Sequence, residues 1–200
     1  MIERYKEDFV GIFKPLTRLF VKNGWHPDLL STLGLLGNIV AALLFAMGFF
    51  RSAGICVLLA GLFDVLDGEV ARMGHKSNTF GALLDSTLDR YSEIFVAFGI
   101  TVFFVRNGWV MTSAILFFAL AGSLMVSYVR ARAEGLGETC KVGLMQRPER
   151  VLAIAAGGII GVEALAIVMW FIAFLTHFTV AERVWHVWKK TKRIGLKQGE

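Results

Sequence analysis

The sequence predicts an all-α, polytopic membrane protein, with six transmembrane helices preceded by an amphipathic helix on the membrane surface. Three observations predict it. Hydrophobic residues make up 56% of the 200 residues and the mean hydropathy is +0.61, too apolar for an ordinary soluble domain. They gather in long runs, and a spanning helix needs about 20 such residues. The 21 lysines and arginines collect in clusters between those runs.

Residues 1–25 form the juxtamembrane helix. Phe9, Ile12, Phe13, Leu16, Leu19 and Phe20 recur at helical spacing with Lys6, Lys14, Arg18 and Lys22 among them, as in a helix lying on a membrane surface. Charges interrupt this stretch throughout, so it is no signal peptide. Residues 26–188 hold the spans. The run 29–50 has no charge, and 53–63 and 94–105 flank a polar stretch. Runs 109–129 and 151–181 follow, the last broken only by Glu163. Residues 189–200 are a basic tail.

Charge bias fixes the count. Basic clusters lie at the N-terminus, around Arg72 and Lys76, across 130–150 and across 183–197, whereas the intervening connections carry single charges, Arg51, Arg106 and Glu163. Six spans put every cluster and both termini on the cytoplasmic side of the cell inner membrane. A single helix over 151–181 would push the tail outside, so a turn is expected at 161–163. The net charge of +5 then faces the anionic inner leaflet and is no signal for nucleic acid. Cys56 and Cys140 lie on different segments without pairing or zinc spacing.

Four of the six aspartates, Asp64, Asp67, Asp85 and Asp89, fall within 26 residues between two apolar runs. Asp64 and Asp67 share one face of the second span and Asp85 and Asp89 one face of the third. Helix caps paired with Arg72 and Arg90 would account for one aspartate, not for two helical pairs. Carboxylates so close at a membrane boundary repel each other, and one or two hard divalent cations, Mg²⁺ or Mn²⁺, relieve that. Gly68 and Gly81 open room for a nucleotide to approach the backbone, and Arg72 suits a phosphate.

These residues spell D-x2-D-G-x2-A-R-x8-G-x3-D-x3-D in full (Asp64, Asp67, Gly68, Ala71, Arg72, Gly81, Asp85, Asp89). The stretch resembles the signature of the CDP-alcohol phosphatidyltransferases. The resemblance implies transfer of a phosphatidyl group from a CDP-lipid such as CDP-diacylglycerol to an alcohol, with release of CMP at a cytosol-facing site. It implies that Asp64, Asp67, Asp85 and Asp89 ligate the metals, two ions in all, and that Asp89 is also the base for the incoming hydroxyl. Gly68 and Arg72 then contact the CDP moiety, with Gly81, Asn78 in the turn before it, and Pro27, Asp28, Leu29 and Leu30 at the start of the first span.

Segment 127–150 holds Ser127, Arg130, Arg132, Lys141, Arg147 and Arg150. It looks like the acceptor region of the phosphatidylinositol-phosphate synthases. That implies inositol phosphate as acceptor, its phosphate held by Ser127, Arg130, Arg147, Arg150 and Arg183. Glycerol phosphate or another alcohol is the alternative, and arginines that only follow the positive-inside rule are the bland one. Two further classes fit less well: Mg²⁺-dependent membrane prenyltransferases lack the D-G-x2-A-R core, and a divalent-cation transporter would want acidic groups near the midplane with access from both sides. The expected partners are the CDP-lipid, the small alcohol and membrane lipids. Gly99, Gly122, Gly157 and Gly158 offer close helix contact and so allow a homodimer.

Overall fold

The computed structural model describes residues 14–197, with side chains through 192. The described residues form seven helices and no strand. Helix α1 covers 14–22. It is followed by α2 (Pro27–Ala46), α3 (Phe50–Met73), α4 (Thr79–Arg106), α5 (Val110–Gly135), α6 (Arg147–Ile160) and α7 (Val162–Lys197). The first half of the expected juxtamembrane helix lies outside the described residues.

Local chemistry sets the boundaries. Pro27 opens α2 after an extended His26, since proline gives up no helical hydrogen bond in the first turn. Asn78 caps α4, its side-chain oxygen accepting from the Gly81 N–H at 2.7 Å. At Gly161 the backbone takes φ +147, and α7 turns back along α6, so that Gly157 faces Leu165 and Val168. In a continuous helix Gly157 and Leu165 would stand about 12 Å apart along the axis. The break therefore falls where the charge bias asks for one.

Helix α2 packs on α3 and α4, α3 on α6, α5 on α4 and α7, and α6 on α7. The main core joins Phe45, Ile100, Phe104, Leu116, Leu165 and Ile172. Gly99 lies against the Ala42 backbone of α2, Gly122 against Thr176 and His177 of α7, and Gly158 against Phe45 and Phe50. With Gly157, the four glycines expected to allow a dimer are thus spent on contacts within the chain.

A smaller cluster gathers at one end. Leu16, Phe20, Val21 and Trp25 pack on Leu30, Leu66 and Val70, which docks α1 across α2 and α3. Lys76 donates to the carbonyls of Gly24 and Trp25 at 3.3 and 3.2 Å. Helices α2, α5 and α7 are long and apolar enough to cross a membrane, and large apolar side chains such as Leu43, Phe98, Phe117 and Phe174 are exposed along the bundle.

Candidate active site

Helices α3 and α4 bring the four aspartates together at the end where α1 docks. Asp67 is buried, and its Oδ2 accepts a 2.5 Å hydrogen bond from Ser31 of α2. One turn further along α2, Gly34 leaves room for Asp64, whose Oδ1 would lie 2.6 Å from a Cβ at that position. Asp64, Asp67 and Asp89 each feel Asp85, and Asp67 and Asp89 also feel Asp64.

A cation lies inside this group. Arg147, the first residue of α6, donates to Asp64 Oδ2 at 2.7 Å and stands 2.8 Å from Asp89 Oδ1. Asp89 Oδ2 faces Arg90 at 3.4 Å, so both of its oxygens are engaged. Among the described residues, no three carboxylate, imidazole or thiolate groups converge into a cation cage. The donor set still fits a hard divalent cation, because it is all carboxylate and already holds a positive charge.

A cleft opens beside the aspartates. Pro27, Asp28, Gly68, Arg72, Asn78 and Gly81, expected to contact the nucleotide, line it together with Ser31, Asp67 and Asp85. Of the same expected group, Leu29 is exposed and Leu30 lies buried in the small core with Leu66 and Val70. The missing Cβ of Gly68 faces the Arg72 guanidinium at 3.6 Å, and that of Gly81 faces Asp28 Oδ1 at 3.4 Å. A side chain at either glycine would narrow the cleft. Arg72 pairs with Glu69 on its own helix.

The residues expected to hold the acceptor phosphate are distributed differently. Arg183 is buried, donating to the carbonyls of Val142 at 2.8 Å and Val126 at 2.5 Å. Arg150 is equally buried against Glu93 Oε1 at 2.5 Å and the Met145 carbonyl at 3.1 Å. Arg130 is exposed and pairs with Glu134 at 2.9 Å, and Ser127, one turn before it, is half-buried. Arg183 lies within electrostatic reach of both Arg130 and Arg150. Arg147 stands with the aspartates.

Ser31, Gly34 and Glu93 also shape the site. Their signal is positional: Ser31, Gly34 and Asn38 form a small and polar stripe on an apolar helix, and Glu93 follows Asp89 by one turn.

Comparison with known proteins gives the family of the chain. Residues 25–181 match the CDP-alcohol phosphatidyltransferase family. The chain is 37% identical over 187 residues to a phosphatidylinositol phosphate synthase of Mycobacteroides abscessus, covering 90% of this chain and 84% of that protein. It is 36% identical over 199 residues to an archaetidylinositol phosphate synthase of Methanothermobacter thermautotrophicus, covering 93% and 97%. The Mycobacterium tuberculosis phosphatidylinositol phosphate synthase with CDP-DAG bound superposes with a TM-score of 0.78 at 32% identity, over 87% of this chain and 92% of that one. A structure of the same protein in complex with manganese and citrate also gives 0.78, at 31% identity, over 87% and 88%. On the full motif, the helical fold and these likenesses, the chain belongs to the CDP-alcohol phosphatidyltransferase family.

Proposed function

We propose that the protein transfers the phosphatidyl group of CDP-diacylglycerol to inositol phosphate and releases CMP. The observation that carries this reading is the cleft in which Gly68, Arg72 and Gly81 border Asp67 and Asp85, a space that opens onto carboxylates. The acceptor rests on the likeness to synthases of inositol phosphate lipids.

Asp64, Asp67, Asp85 and Asp89 would hold the divalent cations, two Mg²⁺ or Mn²⁺, with Ser31 and Gly34 fixing two of the carboxylates from α2. When bound, the ions would neutralise the pyrophosphate and stabilise the departing CMP. Arg72 and the open backbone at Gly68 and Gly81 position the cytidine diphosphate, together with Pro27, Asp28 and Asn78. Asp89 takes the proton of the acceptor hydroxyl. That oxygen then bonds to the phosphatidyl phosphorus as the bond to CMP breaks. Exposed Arg130 retains donors for the acceptor's phosphate, with Arg147 and Arg150 lining the inner cavity beside Asp64.

On this reading α2 to α7 are six spans, α1 lies on the cytoplasmic surface, and the site opens to the cytosol. Helices α3 and α4 carry the charges of the site, and α6 has 14 residues, about 21 Å against a hydrocarbon core of about 30 Å.

The test is CMP release from CDP-diacylglycerol by purified protein in vesicles, with inositol phosphate, glycerol phosphate, inositol and serine compared as acceptors. Inositol phosphate should be preferred, chelator should abolish the reaction, and Mg²⁺ or Mn²⁺ should restore it. Preference for another acceptor would leave the family chemistry standing and discard inositol phosphate.

A further inference from the structure

Arg147 presents a conflict. Its guanidinium bridges Asp64 and Asp89 at 2.7 and 2.8 Å, where a divalent cation would have to be ligated and where the reacting hydroxyl must reach Asp89. A guanidinium seated there competes with a metal for those oxygens and sets a second positive charge beside it. The same arginine has a second place to go. Asp64, Glu93, Arg147 and Arg150 line one inner cavity, along with Asn38, Ser92 and Ser123. Glu93 gives Oε1 to Arg150, while its Oε2 is buried without a partner, and so is the Nε of Arg147. The negative charge of Glu93 already acts on Arg147. A buried carboxylate oxygen without a donor is costly, and the cavity, at about 40 Å³, holds a few waters at most.

We propose that Arg147 is a built-in counter-cation of the aspartate site, exchanged for the divalent cation on metal binding and received by Glu93 as it turns inward. The inference rests on the metal-site reading above and adds a competitor to it. In the metal-free protein Arg147 offsets the repulsion among the carboxylates. Metal must displace it, so the apparent affinity falls by the fraction of molecules in which the seat is free. Glu93 lowers the cost of displacement by giving the guanidinium a partner, and Asp89 is uncovered in the same movement. Arg147 is therefore a positioning residue for Asp89.

The test measures Mn²⁺ binding directly, by the paramagnetic resonance signal of free Mn²⁺ titrated into detergent-solubilised protein without substrate. Arg147→Met should bind Mn²⁺ about tenfold more tightly than wild type, as expected if the seat is taken in roughly nine molecules of ten. Arg147→Lys, which reaches one carboxylate at most, should shift affinity the same way by a smaller factor and covers the case of a Met variant that does not fold. Glu93→Gln should weaken Mn²⁺ binding severalfold, and adding Arg147→Met to it should restore the tight value, because Glu93 acts only through the arginine. A general charge effect of Arg147 would leave Glu93→Gln equally weak in both backgrounds, and that result overturns the exchange. Wild-type binding with neither Arg147 variant tighter overturns it too. No Mn²⁺ binding by any of the proteins would remove the metal site itself and this proposal with it.

Discussion

Ser31 on α2 donates a 2.5 Å hydrogen bond to Asp67 on α3, so a helix that bears none of the motif aspartates fixes the rotamer of one of them. Ser31→Ala removes the donor and leaves a buried carboxylate oxygen short of a partner, a loss of about 1–3 kcal/mol. The expected result is a fall in kcat/KM for CDP-lipid of roughly 5- to 150-fold. Steady-state CMP release at varied CDP-lipid checks it, and an unchanged value would free Asp67 from any dependence on α2.

Two glycines should separate by phenotype. A Cβ at Gly34 would stand 2.6 Å from Asp64 Oδ1, whereas one at Gly68 meets only the flexible end of Arg72 at 3.6 Å. Gly34→Ala displaces the Asp64 carboxylate and should weaken Mn²⁺ binding by about tenfold, or about 1.4 kcal/mol. Gly68→Ala should bind Mn²⁺ as wild type does and raise the CDP-lipid KM, because its methyl group narrows the cleft. The two measurements together tell the metal side of the site from the nucleotide side.

Asp89→Asn keeps size and removes basicity. Turnover should fall by a factor on the order of 10²–10⁴, the usual share of a positioned base, while CDP-lipid binding largely survives on the other three aspartates. Asp64→Asn and Asp85→Asn should weaken metal and CDP-lipid binding together. Loss of nucleotide binding in Asp89→Asn would make that residue chiefly a ligand.

The arginines divide by burial. Arg130→Ala, at an exposed position, should raise the acceptor KM by about tenfold with the CDP-lipid KM unchanged. Arg183→Ala strips two carbonyls of their donors and should lower the unfolding temperature in detergent by on the order of 5 °C. Thermal unfolding followed by tryptophan fluorescence reads this, and a selective shift of acceptor KM in Arg183→Ala without loss of stability would reverse its assignment.

How much of this could be read from the sequence follows from the range of the interactions. The two aspartate pairs are legible because three- and four-residue spacings settle a helical face whatever packs against it. The break at Gly161 is legible through charge bias, a property of whole segments. Arg147 beside Asp64 is not, since 83 positions separate them and only the packing of α6 on α3 joins them. Ser31 is hidden for another reason: a hydroxyl in an apolar helix can be satisfied by its own backbone, and Ser31 also reaches the Pro27 carbonyl at 3.3 Å. Among the arginines, the sequence shows the clustering but not which guanidinium groups tie loops to helices, as Arg183 ties Val142 to α5. The glycines Gly99 and Gly122 mark close contacts correctly, but their partners are helices of the same chain.

The spread of apolar character along the chain has a consequence for its birth. Helices α2, α5 and α7 are apolar enough to enter lipid on their own composition, whereas α3 and α4 bring the four carboxylates with them, and charged groups disfavour insertion. Helix α2 leaves the ribosome before the α3–α4 hairpin, and it supplies Ser31 and the space at Gly34 that receive Asp67 and Asp64. Arg147 emerges about 60 residues after Asp89. Until then, the nascent hairpin holds four acidic groups without their arginine. A chain stalled before α6 is accordingly the form that membrane quality-control proteases should recognise, and completion of α6 is the event that ends that exposure.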